Sequence, residues 1–223
     1  VAAIIADGVL PATLEFLDQR CIAAVDDFAA LGLDREAGAL LLFGDDGSEQ
    51  TAAASVARMA DIAADHKARD VTLARDIAEA DALLYARRCS LPALARLGPV
   101  TMLEDATVPR PRMPEMVERI EAIADSYGLV CATFGHAGDG NLHPTIVFDP
   151  AEDGVTAAAH AAFDEVFAAA LDLGGTITGE HGVGAAKRAW LGRRLGDDQV
   201  DLLRRVKQAF DPAGILNPGK LGS

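Results

Sequence analysis

Cysteine is scarce in this chain of 223 residues: there are three, Cys21, Cys89 and Cys131. The number is odd and no Cys-x-x-Cys pair occurs, which argues against a disulfide framework and against a thiolate zinc site, and favours a reducing, cytoplasmic compartment. Positive charge is also short, with 20 Lys and Arg against 34 Asp and Glu and a formal net charge of -14. Such a surface repels phosphate backbones and anionic lipid, so nucleic acid and membrane surfaces are not expected partners. No uninterrupted apolar run reaches the roughly 18 residues of a membrane span, and no basic stretch, apolar stretch and cleavage site follow one another at the start. Neither a span nor a signal peptide is therefore expected. The Ala-rich stretch 156–171 is broken by His160, Asp164 and Glu165 and reads as a packed helix. No low-complexity linker divides the chain, which is long enough to bury roughly 70% of its unfolded surface. An acidic protein that handles an anion needs local positive charge, which directs attention to a metal ion and to particular arginines.

Apolar spacing predicts a helix over 11–31, with Leu14, Leu17, Cys21, Ile22 and Val25 on one side. Residues 39–43 read as a buried strand ended by Gly44-Asp45-Asp46-Gly47. Ser48 then caps a helix to about 67, with half a capping box, because Thr51 stands where Glu or Gln would. A strand at 71–74 and a helix over 77–97, interrupted near Pro92, complete a β-α-β-α half. The second half repeats the pattern, with a strand at 100–104, a helix over 113–127, strands at 129–134 and 145–148, and a helix over 156–173. Strands interleaved with helices and joined partly by a hairpin predict split β-α-β, ferredoxin-like units. Two of them make an α+β domain of duplicated ferredoxin-like units on antiparallel sheet, closed by C-terminal helices over 185–191 and 198–210.

Histidine gathers where glycine does. The segments Phe134-Gly135-His136-Ala137-Gly138-Asp139-Gly140-Asn141-Leu142-His143 and Thr178-Gly179-Glu180-His181-Gly182 hold three of the five histidines. Ala132-Thr133-Phe134 and Pro144-Thr145-Ile146-Val147-Phe148 have strand composition, and Gly138-Asp139-Gly140-Asn141 has turn chemistry. A β-hairpin follows, with His136 and His143 at the two ends of its loop. A catalytic zinc-type site commonly takes three protein ligands and keeps one position open. Glu180 is the best third ligand, because Gly174, Gly175, Thr176 and Gly179 before it allow close backbone approach. His181 points away from Glu180 in an extended segment or lies beside it in a turn, and either way can act as a base. Imidazole mixed with carboxylate suits zinc first, with iron or manganese as alternatives. A single buried histidine is more often a satisfied core residue; the grouping is what favours metal, while His66 and His160 lie on helix-like stretches and are expected in solvent. A dinucleotide loop is rejected for 135–140, since such a loop opens a helix and this one opens a strand.

In Tyr85-Ala86-Arg87-Arg88-Cys89 the other helix positions are largely apolar, so at least one arginine should face inward. The competing reading is an exposed cation paired with Glu79 or Asp81. Lys187, Arg188, Arg193 and Arg194 are expected to form a solvated face.

The histidine segments, Gly174-Gly175-Thr176-Ile177 before the second of them, the stretch Phe210-Asp211-Pro212-Ala213-Gly214-Ile215-Leu216-Asn217-Pro218-Gly219-Lys220, and Pro11, Leu14, Glu15 and Asp18 near the start carry a resemblance. They resemble the C-terminal domain of FAD-linked oxidases of the glycolate oxidase flavin subunit, D-lactate dehydrogenase and D-2-hydroxyglutarate dehydrogenase type. The resemblance runs nearly end to end. It implies the duplicated ferredoxin-like architecture and makes residues 1–223 the substrate and metal domain. It also implies an N-terminal FAD-binding domain outside these residues, and an electron-acceptor subunit as a further partner. FAD would be held mainly by that other domain, with Asn217 and Glu180 contributing from this one. Metal would be held by His136, His143 and Glu180, the substrate carboxylate by Arg87, and His181 would be the catalytic base. The sequence departs from the D-2-hydroxyglutarate dehydrogenase pattern at Leu103, where that relative has a substrate-binding lysine, and at Thr145, where asparagine is usual. Those departures favour a short 2-hydroxy monocarboxylate.

The leading expectation is the substrate and metal domain of a flavin-dependent 2-hydroxy acid dehydrogenase, in which hydride passes from substrate Cα to FAD. The chain opens at Val1, inside a motif that in the family follows the flavin-binding half, so a fragment inert by itself is expected. Two other readings use the same residues. A metal-dependent hydrolase would place water in the open position with His181 as base, whereas a non-catalytic ferredoxin-like regulatory or dimerisation domain would purify without stoichiometric metal.

Overall fold

The computed structural model describes residues 1–220. Its first half contains α1 (Ala2–Ala6), β1 (Thr13–Asp18), α2 (Gln19–Ala29), β2 (Ala39–Gly44), α3 (Glu49–Asp65) and α4 (Ile77–Leu94). The second contains β3 (Val100–Leu103), β4 (Ala106–Thr107), α5 (Met113–Ser126), β5 (Val130–His136), β6 (Asn141–Phe148) and α6 (Val155–Asp172), followed by α7 (Leu191–Leu195) and α8 (Asp197–Phe210). The fold is α+β on antiparallel sheet, as expected. Both halves contribute to one sheet of order β2-β1-β5-β6-β3, with β4 also on β6, and the pairing of β1 with β5 joins them.

Helices cover both faces of this sheet. Leu14, Phe16, Leu142, Ile146 and Phe148 pack into one core with residues of α3, α5 and α6. Leu17, Ala132, Phe134 and Val147 pack into the other with α2 and α4. The period of two along β6 sends Leu142 and Ile146 to the first face and His143, Thr145 and Val147 to the second. The α4 face therefore carries the chemistry at the hairpin end of the sheet.

Residues 11–31 do not form a single helix. Thr13–Asp18 is a strand paired antiparallel with β2 and β5. A strand buried on both faces reads as an almost continuous apolar run, which helical spacing also fits. Asp18 ends the strand and caps α2, accepting the Cys21 N–H at 2.7 Å, while its other oxygen accepts the Thr133 N–H at 2.5 Å. Residues 71–74 form no strand either, being largely exposed and without a β partner among the described residues. Helix α4 is not interrupted at Pro92, which sits within its last turn. The stretch 185–191 is a turn and a short 3-10 segment, Arg188–Trp190, leading into α7. Ser48 does cap α3, accepting the Thr51 N–H.

Candidate metal centre

Strands β5 and β6 pair with Phe134 opposite His143 and His136 opposite Asn141. The two histidines are thus diagonal neighbours on the α4 face, with ring centroids 5.3 Å apart. Glu15 lies opposite His136 on the other side and shares that face. The turn closes through Gly140 at φ 84°, where a Cβ would stand 2.0 Å from the Val108 carbonyl oxygen, so only glycine allows this approach.

The second segment is brought in by the chain around β4. Thr107 and Thr176 exchange N–H···O bonds of 3.1 and 2.8 Å. Two residues before Thr107, Asp105 Oδ2 accepts the Thr178 hydroxyl at 2.8 Å and the N–H groups of Gly179, Glu180 and His181 at 3.0, 3.0 and 2.9 Å. Three successive N–H groups converging on one oxygen bend the backbone into an anion nest. Glu180 and His181 therefore lie beside each other in a turn, the second of the two placements open in the sequence. Glu180 Oε1 is 3.2 Å from His143 Nε2, 3.4 Å from His181 Nε2 and 3.5 Å from His136 Nε2.

Charge is set by the surroundings. Burial alone would raise the Asp105 carboxyl, but the His181 N–H, the Thr178 hydroxyl and the Glu180 N–H hold it at about 2, so it is ionised. Burial pushes the His143 imidazole down to about 4, and it is neutral near pH 7 with a lone pair to offer.

Around these groups lies a supporting layer. His136 Nδ1 is 2.8 Å from Glu15 Oε1, and Glu15 Oε2 accepts from Arg87 Nε at 2.7 Å. Arg87 also lies over the Phe134 ring, 4.6 Å from its centroid. It faces inward, while Glu79 pairs with Arg75 and Asp81 with Arg88. Lys187 is not part of a solvated face. Its side chain is buried, and Nζ lies 3.1 Å from Glu104 Oε2. Asn217 sits at φ 45° in an exposed loop tied to α8 through Lys207, whose Nζ donates to the Leu216 carbonyl at 2.6 Å, and it is not among the residues gathered at the hairpin. His66 and His160 are exposed.

Among the described residues two groups of side chains could hold an ion: His136, His143 and Glu180, and Asp105, His143 and His181. The second shares His143 with the first, and of Asp105 only Oδ1 is without a hydrogen bond, 3.7 Å from His143 Nδ1, since Oδ2 already accepts four. The first fits a divalent ion of the zinc, iron or manganese kind by its donors, two imidazole nitrogens and a carboxylate oxygen. His143 is buried, whereas Glu180 and His181 are 49% and 41% exposed, so the cluster is open on one side. Asp105 and Glu104 as supports have no motif in the sequence, and Glu15 stands there only among the residues near the start that carry the resemblance, with no role assigned. Only strand register and the β4 bridge reveal them.

The sequence profile of the family described as FAD linked oxidases, C-terminal domain, matches residues 1–221. Glycolate oxidase subunit GlcD of Bacillus subtilis is 47% identical over 221 residues, which cover 99% of this chain and 47% of that protein. The mitochondrial D-lactate dehydrogenase [cytochrome] of Arabidopsis thaliana is 32% identical, over 96% of this chain and 38% of its own length. The chain thus spans less than half the length of these relatives. Among solved structures, 4-ethylphenol oxidase from Gulosibacter chungangensis aligns over 98% of this chain and 50% of its own with a TM-score of 0.62. At 16% identity that likeness speaks to the fold alone.

Proposed function

The chain belongs to the family of FAD-linked oxidase C-terminal domains, and from that premise we propose that it is the substrate and metal domain of a flavin-dependent 2-hydroxy acid dehydrogenase of the glycolate or D-lactate type. The observation that carries this reading is the convergence of three imidazole nitrogens on one Glu180 oxygen, at 3.2 to 3.5 Å, at an open rim beside an inward arginine.

His136, His143 and Glu180 would hold the metal. When bound, a divalent metal would supply Lewis acidity toward the substrate hydroxyl and carboxylate, and FAD would supply the acceptor for the Cα hydride. His181 takes the hydroxyl proton on Nε2, which lies at the open rim and is not needed to complete a three-ligand set. Arg87 Nε donates to Glu15, and its terminal nitrogens make no hydrogen bond among the described residues. They would orient the substrate carboxylate.

Leu103 and Thr145 are direct partners across the β3–β6 register, on the face that carries His143. The two departures from the D-2-hydroxyglutarate dehydrogenase pattern thus adjoin, with Thr145 buried and its hydroxyl donated to the His143 carbonyl, and neither residue supplies a cation for a distal carboxylate. A short monocarboxylate suits this pair.

FAD would be held mainly by a domain corresponding to the part of the relatives that this chain does not match, with Asn217 and Glu180 as the contributions from this side. An electron-acceptor subunit would complete the assembly. No helix among the described residues is long and apolar enough to cross a membrane. Three buried thiols without disulfide partners suit a reducing cytoplasmic setting.

The test combines metal analysis of this chain with anaerobic flavin bleaching in a protein that carries both halves. One divalent ion per chain and bleaching by glycolate or D-lactate are expected, with no oxidation by this chain alone. A folded protein that takes up no metal, or a flavin that neither acid bleaches, overturns the reading.

A further inference from the structure

We propose that Asp105 is a positioning residue that prepares two ligands at once: one oxygen shapes the turn bearing Glu180, and the other sets the tautomer of His143. The proposal rests on the reading of the cluster as a metal site.

Two buried polar atoms at the site lack hydrogen bonds, Asp105 Oδ1 and His143 Nδ1, and they face each other across 3.7 Å. A carboxylate oxygen only accepts, so the pair can be satisfied only if His143 carries its proton on Nδ1. Closing the gap to an ordinary hydrogen bond needs a movement of roughly 1 Å. The opposite tautomer would leave two acceptors facing each other away from water, which is costly.

This tautomer has a consequence on the other side of the ring. His143 Nε2 then has no proton to give to Glu180 Oε1, 3.2 Å away. The same holds at His136, whose Nδ1 is engaged by Glu15 and whose Nε2 stands 3.5 Å from the same oxygen. Lone pairs thus converge on a carboxylate oxygen, an arrangement that a cation resolves. Asp105 and Glu15 play equivalent parts for the two histidines, each a carboxylate behind an imidazole. Asp105 does more, since Oδ2 also collects the N–H groups of residues 179, 180 and 181. Next to it in sequence, Glu104 pairs with the buried Lys187. With Oδ2 filled and Oδ1 turned to His143, Asp105 is not a ligand to a second ion.

The experiment begins with long-range ¹H–¹⁵N NMR of the metal-free protein, which reads the tautomer directly. His143 is expected as Nδ1–H; finding Nε2–H overturns the proposal whether or not any variant folds. Asp105→Asn keeps one oxygen for the loop but turns an NH₂ group toward His143 Nδ1, which then has to accept. The expected spectrum is inverted to Nε2–H, and zinc(II) affinity, measured by competition with a chromophoric chelator, should fall by roughly 10- to 100-fold. Thr178→Val removes one hydrogen bond to Oδ2 and leaves Oδ1 unchanged; it should keep the Nδ1–H tautomer. Unchanged zinc affinity in Asp105→Asn overturns the positioning role. A wild-type protein that binds no zinc at all overturns the metal reading instead, while the tautomer spectrum still decides the part played by Asp105.

Discussion

Glu15 and Arg87, 72 residues apart in sequence, meet beneath His136: Arg87 Nε donates to Glu15 Oε2 at 2.7 Å, and the other Glu15 oxygen lies 2.8 Å from His136 Nδ1. One carboxylate thus holds both the guanidinium assigned to substrate and an imidazole assigned to metal. The two functions share a support, so disturbing it should affect both.

Glu15→Gln keeps the shape and removes the charge. Its NH₂ group must face either the Arg87 N–H, which then loses its acceptor, or His136 Nδ1, which then has to accept and leaves the ring proton on Nε2, the nitrogen assigned to metal. Stability should fall by about 1 to 3 kcal/mol, or roughly 2 to 4 °C in Tm per kcal/mol for a chain of this size. Zinc affinity should fall about tenfold or more. A variant that melts and binds zinc as the wild type does would remove Glu15 from the account.

His181→Asn tests the division between ligand and base. The His181 ring stacks on His143 with centroids 4.9 Å apart, and its Nε2 is as near to Glu180 as the assigned ligands are. Geometry alone therefore leaves it within reach of an ion, and chemistry separates the roles. In a protein carrying both halves, the variant should lose roughly 10²- to 10⁴-fold in kcat and keep its metal. Loss of metal together with activity would make His181 a ligand.

How far the site can be read from sequence depends on where each contact originates. His136 and His143 are legible because a Gly-rich turn between strand-forming segments brings them together locally. Glu180 follows from the glycines before it. Whether His181 lies beside it could not be read, because the turn is set by Asp105, 76 residues away from His181 and part of no motif. Strand β1 was hidden for a different reason: covered on both faces, its apolar residues imitate a helical stripe. Lys187 misleads because a lysine among arginines defaults to solvent, and only the fold supplies Glu104. The α+β class, with sheet strands and helices interleaved, survived these local errors because the longer helices α3, α5 and α6 fall where the sequence places them between strands.

Leu103→Lys addresses substrate length. The new ammonium would rise from β3 directly opposite Thr145, on the face that carries His143. In a protein carrying both halves, kcat/KM for D-2-hydroxyglutarate should rise relative to D-lactate by about tenfold or more, since a charge-assisted hydrogen bond contributes roughly 1.5 to 3 kcal/mol. Thr145→Asn added to it should widen the change. An unaltered ratio would mean that this pair does not meet the far end of the substrate.

Asp18 gives the fold a pH dependence separate from the metal cluster. Burial raises its carboxyl from 3.8 to about 6, against the pull of the Cys21 and Thr133 N–H groups, with Glu121 adding to the rise. A carboxyl whose folded pKa lies above its unfolded value holds its proton more tightly in the native state, so its contribution is fully present below about 3.8 and is lost as pH rises through about 6. A shift of this size corresponds to roughly 3 kcal/mol between the two ends of the window. Asp18→Asn cannot ionise and should lack this term, while losing one acceptor for the two N–H groups at every pH. Other carboxylates titrate equally in both proteins, so the difference between wild type and variant isolates Asp18. In urea unfolding, the wild type should hold its largest advantage near pH 4 and lose about 2 to 3 kcal/mol of it by pH 7. A difference that stays constant from pH 4 to pH 7 would mean that the carboxylate remains ionised across the window, held by the N–H groups of Cys21 and Thr133 against the effect of burial.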